Sequence, residues 1–161
     1  MHKIKFKNPY KVEIVRQGKV IDSFQGFNDI TDEGKNHLLN VAFDAGTQEA
    51  NWYIGLIDGT GFTTLAAGDT MASHAGWTEL TSYDEATRPE WDPTVTGATA
   101  NNAAVREFTI NATVSVQGIF VPSDNVKSGT TGVLWATAEF NAPYALIDDD
   151  VLRLIYTVQV N

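Results

Sequence analysis

Residues 105–121 read VREFTINATVSVQGIFV. Phe108, Ile110, Ala112, Val114 and Val116 occupy every second position, and only an extended chain puts such residues on one face. The same period returns in GVLWATAEF at 132–140 and in VLRLIYTVQV at 151–160, with Leu152, Leu154, Tyr156 and Val158 in step. Ser123-Asp124-Asn125 and Asp148-Asp149-Asp150 supply turns between them. Short strands at regular spacing with a single helix predict a mainly β chain: an antiparallel β-sandwich or jelly-roll-like fold, with 1–161 forming one domain.

Working outward, 94–104 (TVTGATANNAA) is small, polar and uncharged, and reads as a flexible surface loop. The stretch 68–92 holds Trp77, Trp91, Tyr83, Met71 and His74 in irregular alternation. It reads as a long ordered excursion on the β core, with short strands around 77–80 and 88–91 limited by Pro89 and Pro93. WYIGLI at 52–57 predicts a strand buried on both faces. The helix, near 31–45, opens on Thr31 as N-cap with Asp32 and Glu33 in its first turn, and Gly46 stops it. Leu38, Leu39, Ala42 and Phe43 form its apolar stripe, expected to be buried. Residues 1–28 alternate as a hairpin turning at Gln17-Gly18-Lys19.

Net charge is −9, which repels phosphate backbones and sets nucleic acid aside as a partner. The charge is uneven. Lys3, Lys5, Lys7, Lys11, Arg16 and Lys19 stand against Glu13 alone in 1–20. These lysines guard an edge strand in one reading and form a basic arm for an acidic neighbour in the other. With no cysteine and three scattered histidines, no metal or cofactor site is expected. The N-terminal segment lacks the apolar run of a signal peptide or membrane span, so a cytosolic product without membrane association is expected.

Candidate chemistry is thin. Asp84, Glu85, Glu90 and Asp92 lie beside Tyr83, Trp77 and Trp91 without a diagnostic glycosidase spacing. The same aromatics leave a carbohydrate-binding β module open. Ser73-His74 lacks a nucleophile elbow, and Asp148-Asp149-Asp150 lacks calcium-loop spacing. No catalytic residue is assigned.

The runs TDEGKNHLLNVAFDAG, WYIGLIDG, AAGDTMASHAGWTEL and YDEATRPEW, with GIFVPSDN, GVLWATAEF and LRLIYTVQV, resemble a family of small virion structural proteins that tailed bacteriophages encode near their head genes. The similarity covers about 31–160. It implies a capsid decoration (cement) protein, without enzymatic activity, assembled in the host cytoplasm and bound to the major capsid protein on the outside of the virion. A tail or baseplate module is the alternative. A homo-oligomer is expected, a trimer before a dimer, because capsids present local threefold positions. Lys3, Lys5, Lys7 and Lys11 are the candidate partner-binding cations. Trp77, Arg88 and Trp91 are candidate interface anchors, with burial in the core as the competing reading. On the arm reading, a chain lacking 1–20 keeps a folded body.

Overall fold

The computed structural model describes residues 3–161. Met1 and His2, at the start of the arm expected over 1–28, lie outside the described residues. The strands are β1 (Phe6–Arg16), β2 (Lys19–Ile30), β3 (Gly55–Asp58), β4 (Glu79–Leu80), β5 (Pro93–Thr96), β6 (Thr99–Asn102), β7 (Arg106–Thr109), β8 (Val114–Pro122), β9 (Leu134–Leu146) and β10 (Val151–Val160), with α1 (Asp32–Phe43) after β2. All pairings are antiparallel. The strand order is β4-β3-β8-β9-β2-β1-β10-β6-β5, and β7 also pairs with β10. The curled antiparallel sheet makes a β-sandwich-like fold. The ring of Phe140 on β9 packs 5.6 Å from Tyr10 on β1 and 4.9 Å from Phe24 on β2.

The alternation that marks 1–28 as a hairpin also buries it. Tyr10, Val12 and Ile14 point into the core while Lys7 and Lys11 stay outside. Strand β1 lies between β2 and β10, paired from Phe6↔Val160 to Val15↔Val151 on one side and from Asn8↔Asn28 to Arg16↔Lys19 on the other. The hairpin therefore belongs to the body. It is neither a detached arm nor, at β1, an edge strand.

Three further expectations are corrected. Residues 93–102 form the β5–β6 hairpin, turning at Gly97 with φ 60°, where a loop was expected. The alternating run 105–121 is two strands: β7 pairs with β10 and β8 pairs with β3 and β9, with Ile110 bridging Tyr83 between them. Of the two strands expected in the aromatic excursion, 77–80 gives only β4, while 88–91 contributes a single bridge, Tyr53↔Glu90.

The helix begins as expected, with Thr31 Oγ1 accepting from Gly34 N at 3.0 Å. Its attachment is different. Thr31 N donates to Trp135 O at 3.0 Å, Leu134 N donates to Glu33 Oε2 at 2.7 Å, and Asp32 N donates to Ala67 O at 2.8 Å. Gly34, the one buried residue of the helix, sits so close to the Trp135 carbonyl that a side chain there would collide with it. The helix is held by polar bonds at its first turn, and of the apolar stripe only Leu38 packs on the core; Ala42 is exposed, Leu39 is 54% exposed and Phe43 84% exposed.

Candidate functional site

Where β2 parts from β9 on the Asn28 side of Asp29, α1 stands over the gap and leaves an open groove of about 860 Å³. Asn8 and Asn28, opposite each other in the β1–β2 ladder, line it together with Leu38 and Leu39 of α1 and the segment 64–67. Both asparagines are buried, and neither Oδ1 has a hydrogen-bond partner among the described residues. Asn28 Nδ2 donates to the Tyr156 hydroxyl at 2.7 Å, and Trp135 Nε1 donates to the same oxygen at 3.0 Å. Burial raises the Tyr156 phenol well above its ordinary range, so it stays neutral. Phe6 (38% exposed) and Phe27 (61% exposed) line the same groove, and Phe43 (84% exposed) lies one helical turn beyond Leu39.

The expected partner-binding residues divide in two. Lys3, Lys5, Lys7 and Lys11 are exposed. Lys7 Nζ lies 5.1 Å over the Phe27 ring, and Lys11 is paired with Glu13 at 2.9 Å. Lys5 exchanges backbone hydrogen bonds with Asn161 at 2.9 and 2.8 Å. Trp77, Arg88 and Trp91 are buried within the subunit, which corrects their reading as surface anchors. Trp77 Nε1 donates to Asp69 Oδ2 at 3.0 Å, and the ring packs 5.0 Å from Phe120. Trp91 Nε1 donates to Tyr156 O at 2.9 Å. The sugar-platform reading needs exposed tryptophan faces at these positions, and the structure offers none.

Arg88 grips Glu79 with both arms of its guanidinium, Nε to Oε1 at 2.8 Å and Nη2 to Oε2 at 2.7 Å, and donates to the carbonyls of Asp124 and Gly129. Glu79 also accepts from Ser128 N at 2.7 Å. The arrangement ties the 79–88 excursion to the 124–129 loop. A buried arginine needs such a fork of acceptors, and nothing in the local sequence marks Glu79 as the partner.

Three of the four carboxylates considered for catalysis have structural partners. Glu85 accepts from Thr109 N with both oxygens at 3.1 Å, Asp84 accepts from Asn111 Nδ2 at 3.2 Å, and Asp92 accepts from Arg106 at 3.4 Å. His74 stacks on Trp77 at 3.9 Å, and its Nδ1 donates to Trp77 O at 3.0 Å. The Asp148–Asp150 turn is less solvated than its sequence implies. Asp150 is buried, accepting from Arg16 Nε and Nη2 at 2.7 Å each and from Ile147 N at 2.9 Å.

That pair carries a pH dependence. The Arg16 hydrogen bonds hold the Asp150 carboxyl below the usual carboxylate range, with the Ile147 N–H helping against desolvation. The folded state thus binds this proton less readily than the unfolded state. The resulting stability is complete above the unfolded carboxylate value of about 3.9 and is lost as pH falls through the lower folded value. Arg16→Ala is expected to lower stability by about 1–3 kcal/mol at neutral pH and to flatten the acid limb of a Tm-against-pH curve. An unchanged limb would contradict the assignment.

No described helix is long and apolar enough to cross a membrane. Among the described residues, no three His, Asp or Glu side chains gather as a metal-ligating group. No protein-family model matches the chain, and no curated protein matches it.

Proposed function

We propose that this chain is a non-enzymatic phage virion structural protein that binds the outer surface of the capsid lattice, by contact with the major capsid protein, and stabilises the shell. The resemblance over 31–160 supplies the class. The observation that carries the docking part is the exposed pair Leu39 and Phe43 of α1, with Leu39 lining the same groove as Phe6 and Phe27. An amphipathic helix normally spends its apolar face on a neighbour, and here the described residues leave Leu39 and Phe43 exposed. Many copies, each making a modest contact on a lattice, hold a shell by multivalency.

Cosedimentation with undecorated phage heads, scored by electron microscopy, tests this. Binding at ordered lattice positions is expected, and it should be lost in L39K/F43K while the circular dichroism spectrum and Tm stay as in the wild type, since both side chains are already in solvent. Binding unaffected by the double substitution would remove α1 from the interface. Absence of head binding, with binding to tails instead, would select the tail or baseplate alternative.

A further inference from the structure

Strand β2 has two edges, and only one is used along its length. The first pairs with β1 from Lys19 to Asn28; the second meets β9 at Asp29 and Ile30 alone. From Lys19 to Asn28 this second edge has no partner strand among the described residues. On this edge Ser23 N donates to Asp22 Oδ1 at 2.8 Å, an exposed local bond that a further strand would replace, and the other outward N–H and C=O groups pair with no strand among the described residues.

Open edges are ordinarily guarded by lysine, proline or a bulge. Across the gap, β9 is guarded: its register jumps from Gly118↔Glu139 to Val116↔Tyr144, and Pro143 lies in the bulged part. Strand β2 has one bulge, at Ile21, where Ile14 faces Asp22 and Val15 faces Val20. After it, residues 21–27 read IDSFQGF, without lysine, arginine or proline. Ile21 is 47% exposed and Phe27 61%.

We propose that this edge pairs antiparallel with the same edge of a second copy, about a twofold axis at Phe24. The bulge bounds the free window at one end, and the take-over by β9 bounds it at the other. Within it, the axis at Phe24 is the one that sets apolar residues opposite each other. About that axis Ile21 meets the partner's Phe27, Ser23 meets the partner's Gln25, and Asp22 meets the partner's Gly26. The single charge in the window faces a glycine, so no like charges oppose one another. Phe24 faces inward, 4.9 Å from Phe140 and stacked 5.8 Å from Tyr144, so the two copies join their aromatic clusters across the axis. A shift of the axis to Gln25 would set Ile21 against the partner's Asp29, and a shift to Ser23 would set it against the partner's Gln25; neither keeps the apolar pairs. The contact is isologous and closes as a dimer, the less favoured of the two oligomers on capsid symmetry alone. It does not depend on the phage reading.

Sedimentation velocity on the purified full chain, from micromolar to submillimolar concentration, tests it. The wild type is expected to sediment at twice the 17.6 kDa monomer mass. Ser23 and Gln25 are exposed, so substitution there spares the core. S23K/Q25K sets like charges opposite one another twice, and should weaken the dimer roughly tenfold or more. S23K/Q25E sets opposite charges there and should keep it. A wild type that stays monomeric throughout overturns the proposal, as does a S23K/Q25K variant that dimerises like the wild type. Because no capsid is needed, this outcome is separate from that of the head-binding experiment.

Discussion

Removal of residues 1–20 is expected to leave a chain that does not fold. The cut deletes β1, which supplies Tyr10, Val12, Ile14 and Val15 to the core. At about 1.5–3 kcal/mol per buried side chain the loss is roughly 6–12 kcal/mol, as large as the whole stability of about 5–15 kcal/mol typical of a domain. It also strips β2 and β10 of the strand that joins them. The truncated chain should be insoluble or should show no cooperative thermal transition by circular dichroism. A cooperatively folded truncation would restore the detached-arm reading of the basic segment.

Arg88→Ala is the point substitution expected to cost most. It leaves the Glu79 carboxylate buried with one hydrogen bond, from Ser128 N, and leaves the Asp124 and Gly129 carbonyls without the donor they face. Breaking one side of a buried pair costs about 3–5 kcal/mol. Lysine should not rescue it, because a point charge cannot bridge both carboxylate oxygens and two carbonyls. Replacing both partners, as in R88M/E79L, should recover much of the loss, since no charge is then stranded. Urea denaturation of the three variants checks this. An Arg88→Ala midpoint matching the wild type would mean that the pair contributes nothing.

The strands that carry the core were legible in the sequence because each buries one face and wets the other. The β1–β2 hairpin, β9 and β10 all show that period, and Gln17 and Gly18 take the positive φ, 50° and 75°, that a tight turn demands. Where a segment buries little, the signal fades. The β5 strand is exposed at every position, so its hairpin carries no hydrophobic alternation at all. The opposite failure occurs at 110–113, where the apolar period runs unbroken through the point at which the chain changes partners. The α1 stripe was visible as a pattern, but a pattern says only that a face wants cover. Whether the chain itself supplies it was decided by Gly34 and the Trp135 carbonyl. Trp77, Trp91 and Arg88 were conspicuous for their chemistry, and all three serve the interior. Asn8 and Asn28 were inconspicuous polar residues in a hairpin, and their place at the groove follows only from the divergence of β2 and β9.

The pairing of β1 with β10 has a consequence for how the molecule is made. Val15 finds Val151 only after everything between them has left the ribosome, which at roughly 5–20 residues per second takes on the order of ten seconds. Until then β1 and β2 are a lone hairpin, marginally stable in water, with Val12 and Ile14 uncovered. Contacts so distant along the chain also slow folding once synthesis is over. The nascent chain therefore spends its vulnerable period with its earliest strands unfinished, and chaperone protection in that interval bears directly on the yield of native protein.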